Sequence, residues 1–264
     1  MIVLRSVVFN ILFYINIILQ MVVMTPMYFL LPRKKAYMVP KNWARSNHWL
    51  MRVIVGTTFE IDGLENIPKG SYIFSPKHQS FWDVFALLPW LDDPFFILKR
   101  ELTWIPLFGW YVLKQRMVPV DRSARGKTMA KVMERAKAEM RSGRQLIIYP
   151  EGTRRPPGAT PDYKYGIARL YRDLQVPVVP VVMHPGLFWP RRKFLRYPGH
   201  FQVRILPAIQ PGLTPDRFLE TLVETMERES DALLVKTVAD NPHVPLPPTA
   251  AIRLAELSGE SKAL

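Results

Sequence analysis

Cysteine is absent from the 264 residues of this chain. Its absence excludes a disulfide framework, a thiolate nucleophile and cysteine-based zinc or iron–sulfur sites, and nothing indicates an oxidising compartment. Histidine is scarce as well, with five residues, and no spacing of histidine with aspartate or glutamate resembles a metal site. We therefore expect no bound metal and no covalent intermediate on cysteine.

Acidic residues are few relative to basic ones. The chain has 22 of the former and 36 of the latter, which gives a net charge of +14 and an isoelectric point near 10.1. A charge of this size implies an anionic partner, which could be a nucleic acid, a phospholipid surface or a phosphorylated substrate. The length accommodates one domain with a full hydrophobic core and a membrane anchor before it.

Charged residues are missing altogether from residues 6–32, which are mostly aliphatic and aromatic. About 20 apolar residues suffice for a helix that spans a bilayer. Polar residues interrupt this segment at Asn10, Asn16, Gln20 and Thr25. Pro26 is expected to kink or end the helix near Thr25. The segment predicts membrane association, against the alternative of a buried core helix.

Two arrangements in a membrane fit residues 1–55, the predicted anchor. In one, residues 6–25 cross the bilayer, and the basic residues that follow keep the rest of the chain on the cytoplasmic side of the inner membrane. In the other, the apolar helix and an amphipathic partner near residues 42–55 form a hairpin seated in one leaflet. A cleaved signal peptide fits less well, because the apolar stretch is long and no small-residue cleavage site follows it.

Residues 56–240 alternate short β-branched or aromatic runs with longer helical stretches, which is the pattern of an α/β domain. The predicted strands cover residues 57–61, 72–75, 95–98, 145–149, 178–182 and 202–206. The predicted helices cover residues 81–91, 127–142, 166–174 and 214–238. Residues 241–264, rich in proline and then polar, are expected to form a poorly packed tail.

The first candidate site lies in residues 78–83, after a predicted strand. His78 stands at the C-terminal end of that strand, where α/β domains build sites. Asp83 is close enough to bond one imidazole nitrogen while the other faces a substrate, and Ser80 is placed to cap the next helix. Such a carboxylate selects the tautomer and makes the histidine a general base. Alone, the spacing is weak, because it arises by chance in roughly one such chain in four.

The second candidate site, residues 149–154, follows another predicted strand. It presents the carboxylate of Glu151, the backbone at Gly152, the hydroxyl of Thr153 and the guanidinium of Arg154. A guanidinium fork suits a phosphate, and the backbone near a glycine can donate to phosphate oxygens. A surface turn with a solvated arginine is the alternative reading of this motif taken alone.

Four blocks in a fixed order resemble a known family. They are residues 78–83, Arg122 at the end of the stretch 118–122, the turn 149–154, and the Val-Pro-Val-Val-Pro-Val run at 176–181. Their order resembles that of the glycerolipid acyltransferases, specifically the 1-acylglycerol-3-phosphate acyltransferases, over residues 55 to 210. The segment 99–109 looks like this family too. The departures are small, and they include Lys77 where many members have asparagine and Tyr149 where many have phenylalanine.

This resemblance implies a single mixed-sheet acyltransferase domain at residues 56–240, facing the cytoplasm, with His78 and Asp83 as the catalytic pair. It also implies that the phosphate and glycerol of the acceptor are bound by Arg122, Glu151, Gly152, Thr153 and Arg154. His78 would take the proton from the sn-2 hydroxyl of lysophosphatidic acid, which attacks the thioester of acyl-CoA or of acyl carrier protein directly and gives phosphatidic acid. These donors are co-substrates, and no resident cofactor is expected. Lys99 is a candidate contact for the donor or the oxyanion, against the alternative of a solvated lysine.

Other readings stay open at this stage. A non-catalytic protein of the phospholipid surface would explain the anchor and the charge, but not the four blocks. A nucleic-acid binder would have no use for the apolar N-terminus, so no nucleic-acid partner is expected. Within the enzyme class, the acceptor could be another lysophospholipid or a lyso-aminolipid. A basic cluster with interleaved aromatic residues, at residues 188–197, fits a headgroup surface, a docking site for the donor or a solvated loop, and the aromatic residues favour the membrane.

Overall fold

The computed structural model of the protein describes residues 1–121 and 127–259. Within these ranges the α-helices are α1 (Ile2–Leu30), α2 (Arg33–Ala36), α3 (Met38–Leu50), α4 (Phe108–Lys114), α5 (Lys127–Arg141), α6 (Gly166–Leu174), α7 (Pro215–Asp240) and α8 (Pro248–Ser258). The strands are β1 (Thr57–Asp62), β2 (Tyr72–Pro76), β3 (Pro94–Lys99), β4 (Val118–Val120), β5 (Gln145–Ile147), β6 (Val178–Met183) and β7 (Gly199–Ile205). α4, β4 and α8 were not predicted from the sequence.

The described strands form one sheet in the order β1-β7-β6-β2-β5-β3-β4. Strands β6, β2, β5, β3 and β4 are parallel to one another, whereas β7 is antiparallel to β6 and parallel to β1. In this register Phe74 of β2 lies opposite Ile147 of β5 and Val179 of β6. The predicted α/β class with a mixed sheet is therefore confirmed. The C-terminal ends of the five parallel strands meet at one edge, where such sheets build ligand sites.

Hydrophobic cores cover both faces of the central strands. Every residue of β2 and β6 is buried, as expected for parallel strands with helices on both sides. Because side chains alternate along a strand, Ile73 joins a core with α5, α6 and α7, while Phe74 joins a core with α1, α3 and the segment 82–91. Helix α1 is thus packed into the domain through Phe9 and Phe13 and is not a separate appendage.

Helix α1 docks on the domain through the polar residues that interrupt its apolar surface. Ser6 Oγ accepts a hydrogen bond from the backbone N–H of Arg196 at 2.9 Å. About three and four helical turns further on, Asn16 Nδ2 donates to Ser46 Oγ of α3 at 2.8 Å, and Gln20 Nε2 donates to the same oxygen at 3.0 Å. By length and composition α1 is a helix that could cross a membrane.

The sequence predicts that Pro26 kinks or ends the helix near Thr25. An end of the helix there is wrong, because α1 continues to Leu30. Proline removes one backbone hydrogen bond from the helix. Tertiary contacts hold the last turn in its place. The ring of Tyr28 stacks on that of Tyr111 in α4 with centroids 3.9 Å apart, and its hydroxyl donates to the Tyr111 carbonyl at 2.9 Å.

The single helix predicted for residues 81–91 is wrong. Two short 3₁₀ turns, Trp82–Val84 and Leu88–Trp90, occupy this segment instead. The carboxylate of Asp83 turns back to the chain before it, and Pro89 disfavours the α conformation at the residue that precedes it. The segment also buries most of its side chains all round, without the one-sided pattern of a surface helix.

The expectation of a poorly packed tail is wrong for residues 248–258. Helix α8 begins at Pro248 and buries Ala250 completely. The hydroxyl of Thr249 donates to the Pro157 carbonyl at 2.6 Å, and Arg253 Nε donates to Asp231 of α7 at 2.9 Å. These contacts join positions far apart in the chain, so the local composition carries no sign of them.

Candidate active site

His78 and Asp83 form a hydrogen-bonded pair at the C-terminal end of β2. The imidazole Nδ1 lies 3.0 Å from Asp83 Oδ2, and the aspartate side chain is fully buried while that of the histidine is 14% exposed. An ionised carboxylate can only accept, so Nδ1 carries the proton and Nε2 carries the lone pair. Within the described residues Nε2 has no hydrogen-bond partner, and it is the atom that can take a proton from a ligand.

Backbone donors hold the Asp83 carboxylate in place. Its Oδ2 atom accepts from the N–H groups of Gln79 at 2.6 Å and Ser80 at 2.8 Å, in addition to the imidazole. The turn therefore presents an oriented carboxylate to His78, which is the arrangement that a general base requires.

Tyr149 fixes the plane of the imidazole from the other side. Its ring stacks on that of His78 with centroids 3.9 Å apart and an angle of 18° between planes. Its hydroxyl donates to the Asp83 carbonyl at 3.0 Å. Burial raises the pKa of Tyr149 well above its usual value, so the hydroxyl stays protonated as a donor.

Glu151 joins the two turns into one unit from behind the histidine. Its Oε2 accepts from the His78 backbone N–H at 2.7 Å, and the His78 carbonyl in turn accepts from the Arg155 N–H at 2.7 Å. Glu151 is 3% exposed, and burial raises its pKa to about 7, with the charge of Lys77 as the largest opposing influence. Glu151 is thus placed to position His78 through its backbone.

Lys77 lies in a buried ionic cluster next to the His78–Asp83 pair. Its Nζ is 2.6 Å from Glu227 Oε1 on α7 and 3.9 Å from Glu151 Oε1. Tyr163 also donates to Glu227 Oε1, at 2.6 Å. The lysine that stands where the family commonly has asparagine therefore has its own acidic partner, which ties the end of β2 to α7.

Two further contacts connect residues 79 and 80 to the chain after β6. Gln79 Nε2 lies 3.0 Å from His184 Nδ1, and the other nitrogen of that imidazole lies 2.8 Å from the Ser230 carbonyl. Burial lowers the pKa of His184 to about 4, so this histidine is a neutral structural group. Ser80 Oγ donates to the Trp189 carbonyl at 2.8 Å and accepts from the Trp82 N–H at 3.2 Å, which explains the hydroxyl without a nucleophilic role.

The other predicted site residues occupy different positions along this edge. Gly152 and Thr153 are exposed, and Arg154 is half-buried. Gly152 has a φ of +67°, the left-handed conformation that closes this tight turn and that glycine adopts without strain. Lys99 is exposed at the end of β3, two strands away from β2. Arg122 lies outside the described residues.

Comparison with known proteins extends over this whole site. The family model described as Acyltransferase matches residues 58–184. The 1-acyl-sn-glycerol-3-phosphate acyltransferase of Pseudomonas aeruginosa is 33% identical over 213 residues, which cover 80% of this chain and 81% of that protein. The chain belongs to the 1-acyl-sn-glycerol-3-phosphate acyltransferase family.

More distant members of the acyltransferase family also match this chain. The mouse enzyme named 1-acyl-sn-glycerol-3-phosphate acyltransferase alpha is 31% identical over 170 residues, and the match spans 60% of its length. The crystal structure of the 1-acyl-sn-glycerophosphate (LPA) acyltransferase PlsC from Thermotoga maritima has a TM-score of 0.72 and 22% identity, over 88% of this chain and 99% of that one. This structure shows that the fold is shared.

Several residues that shape the site of this acyltransferase carried no predicted role. The stacking of Tyr149 on His78 has a local signal, because the tyrosine directly precedes the Pro-Glu-Gly turn. The pairing of Lys77 with Glu227 has none, since the two are far apart in sequence and Glu227 lies beyond the residues that the family model matches. Only the packing of α7 against the sheet reveals that pair.

Proposed function

We propose that this acyltransferase transfers a fatty acyl group from a thioester donor, acyl-CoA or acyl carrier protein, to the sn-2 hydroxyl of 1-acyl-glycerol-3-phosphate. The product would be phosphatidic acid. The observation that carries the proposal is the His78–Asp83 pair, in which Nδ1 is bonded to a buried carboxylate and Nε2 has no partner among the described residues. The acceptor is taken from the names of the relatives.

The mechanism is direct transfer. His78 Nε2 takes the proton of the acceptor hydroxyl as its oxygen forms a bond to the thioester carbonyl carbon. The carbon–sulfur bond then breaks, and the imidazolium returns the proton to the leaving thiolate. Asp83 stabilises the imidazolium, and no acyl-enzyme forms.

The phosphate of the acceptor needs cationic partners near this pair. The half-buried guanidinium of Arg154 and the exposed backbone at Gly152 lie on the turn that Glu151 links to His78, which supports their role in binding the phosphate. Thr153 is exposed on the same turn. For Glu151 the geometry favours positioning of the histidine, because its carboxylate faces the backbone of residue 78. The roles of Arg122 and Lys99 stay predictions.

The contacts of α1 support the arrangement in which this helix lies within one leaflet of the bilayer and does not cross it. It contacts the domain at Ser6 and again at Tyr28, about 33 Å apart along a helix that rises 1.5 Å per residue. A helix held at both ends lies along its domain. Its outer face carries a stripe of apolar side chains, each more than half exposed, at Ile11, Ile15, Ile18 and Val22. We propose that this stripe enters the bilayer, with the active-site edge at the cytoplasmic surface.

The test is acyl transfer from palmitoyl-CoA and from palmitoyl carrier protein to lysophosphatidic acid, with purified wild type beside His78→Ala. Loss of the general base should lower kcat by roughly 10³-fold or more. His243→Ala, which removes an exposed histidine elsewhere, is the matched control and should keep full activity. An alanine variant at position 78 with full activity refutes the mechanism, and a wild type inactive toward this acceptor with both donors refutes the substrate.

A further inference from the structure

The loop that follows β6 brings two arginines to the turn 149–154, which we call the second catalytic turn. Arg191 and Arg192 are exposed, and Arg191 Nη1 donates to the Arg154 carbonyl at 2.7 Å. With the half-buried side chain of Arg154 they form what we call the guanidinium cluster, defined as Arg154, Arg191 and Arg192. Both loop arginines lie beyond the residues that the family model matches.

No carboxylate forms a salt bridge with this cluster within residues 1–121 and 127–259, although the charge of Asp83 acts on Arg154 from a greater distance. Other arginines of the described chain do have acidic partners, for example Arg144 with Glu139 and Arg204 with Glu229. The charges of Arg191 and Arg192, together with the larger influence of burial, lower the pKa of Arg154. Like charges held together are unfavourable unless an anion joins them.

The loop is held firmly in this position. Ser80 Oγ, in the segment 78–83, donates to the Trp189 carbonyl at 2.8 Å, and the buried guanidinium of Arg196 stacks on the Trp189 ring at 4.6 Å. Arg192 adopts a φ of +57°, a left-handed conformation that is uncommon for residues other than glycine. Backbone strain of this kind persists where the surroundings impose it, and it occurs at ligand clamps.

We infer that Arg191 and Arg192, the loop arginines of the guanidinium cluster, bind the phosphate groups of the acyl donor, and that this donor is a nucleotide thioester of the coenzyme A class. The inference rests on the proposed function. The acceptor brings a single phosphate, for which Gly152 and Arg154 on the turn 149–154 are the proposed partners. A coenzyme A thioester brings several more phosphate charges to the same edge of the sheet. Guanidinium forks match phosphate oxygens with two parallel hydrogen bonds each.

The membrane surface is the other anionic partner that these arginines could meet. The contact from Arg191 to the main chain of residue 154 directs its guanidinium toward the catalytic turn, which favours a ligand in the active site. The side chain of Phe194, 52% exposed in the same loop, would suit the membrane. The two possibilities differ in whether the effect of removing these charges on activity depends on the chemistry of the donor.

The experiment compares two donors in neutral detergent micelles, with lysophosphatidic acid as acceptor. Palmitoyl-CoA carries the nucleotide phosphates, and S-palmitoyl-pantetheine carries none. Arg191→Gln/Arg192→Gln should lower kcat/KM for palmitoyl-CoA by about tenfold or more and change that for the pantetheine thioester less than about twofold. The KM for lysophosphatidic acid should stay the same.

The matched control is Arg141→Gln/Arg172→Gln, which removes the same charge. These two exposed arginines lie in the last turns of α5 and α6, at the opposite edge of the sheet from the active site. This control should behave as wild type with both donors. The inference would be overturned if the Arg191/Arg192 variant lost kcat/KM equally with both donors, or if only its KM for lysophosphatidic acid rose. It would also be overturned if kcat/KM fell only when anionic vesicles replaced the neutral micelles.

Binding of free coenzyme A, measured by calorimetry without turnover, separates this inference from the proposed function. The wild type should bind coenzyme A, and the Arg191→Gln/Arg192→Gln variant should bind it at least about tenfold more weakly. Suppose that the wild type binds coenzyme A, that the variant binds it more weakly, and that the wild type transfers no acyl group to lysophosphatidic acid. That outcome would refute the proposed function and leave the inference standing. A wild type that binds no coenzyme A and accepts acyl groups only from carrier protein would overturn the inference.

Discussion

The edge of the sheet that carries His78 and Asp83 departs from the usual inside–outside distribution of residues, and helix α1 departs from it in the opposite way. The edge buries ionisable groups, and Lys77, Asp83 and Glu151 are all less than 7% exposed. Helix α1 exposes apolar groups along most of its length, with Ile18 at 61%. Burial of charge requires partners, whereas exposure of apolar surface requires cover.

The two regions differ in where the partners of the buried charges and the cover of the apolar surface come from. The buried charges find their partners within the chain, in backbone N–H groups and in each other, although Asp83 Oδ1 has no hydrogen-bond partner among the described residues. The apolar stripe of α1 has no cover from the described chain, so its partner has to come from outside. Changing one hydrogen-bonding group should therefore disrupt the first region, and changing one apolar surface residue should disrupt the membrane contact of the second.

Asp83→Asn should have the largest effect. An amide at this position can donate to Nδ1 and favour the wrong tautomer, and it accepts more weakly from the two backbone N–H groups. We expect kcat to fall roughly 10²- to 10⁴-fold with little change in the KM for the acceptor. Steady-state assays beside Asp240→Asn, an exposed carboxylate on α7, check this. A kcat within about threefold of wild type would contradict the role of Asp83.

Glu151→Gln tests the cost of a buried carboxylate. Burial raises the pKa of Glu151 from 4.5 to about 7. Over that pH range the folded protein keeps a proton that the unfolded chain has lost, so stability falls as the pH rises. The difference corresponds to about 3 kcal/mol. Relative to the glutamine variant, the wild type should lose that much free energy of unfolding between pH 5 and pH 8.

Denaturant unfolding of both proteins in detergent at the two pH values measures this difference. Glu220→Gln, which replaces an exposed glutamate of α7, is the control and should follow the wild type. Parallel pH dependences for wild type and Glu151→Gln would show that Glu151 is ionised throughout this range.

Ile18→Asp tests the apolar stripe of α1. Removal of this side chain from a bilayer should cost about 2 kcal/mol, since full burial of an isoleucine contributes roughly 1.5–3 kcal/mol. We expect binding to phospholipid vesicles to weaken about tenfold or more, with kcat in detergent unchanged. Val235→Asp, at an exposed apolar position of α7, should leave vesicle binding as it is. Equal effects of the two substitutions in a flotation assay would exclude α1 as the specific membrane contact.

Ser46→Ala should have the smallest effect. Its hydroxyl accepts from Asn16 and Gln20, so alanine leaves two amide donors of α1 without this acceptor. We expect a loss of roughly 0.5–1.5 kcal/mol in the free energy of unfolding. Ser258→Ala on α8 is the control, because its hydroxyl bonds only within its own helix. A loss no greater than in the control would mean that this polar contact does not hold α1 on α3.

Much of the fold follows from short stretches of sequence. The strands at β1, β2, β3, β6 and β7 and the helices α5, α6 and α7 fall where hydrophobic periodicity predicts them, because each buries a face whose pattern is local. The segment 81–91 was misassigned, since its side chains are buried on all sides and periodicity alone does not separate such a run from a helix. β4 has only three residues and gives no pattern.

The sequence by itself determined the chemistry of this protein: a histidine and an aspartate five residues apart, a Glu-Gly-Thr-Arg turn, and an apolar N-terminal helix. Tertiary structure decided how these parts act together. It stacked Tyr149 on His78, turned Glu151 toward the backbone behind the histidine, and laid α1 along the domain. It also paired Lys77 with Glu227 and set Arg191 beside Arg154. These contacts join residues far apart in the chain, and only the packing of the sheet and its helices brings them within a hydrogen bond of one another.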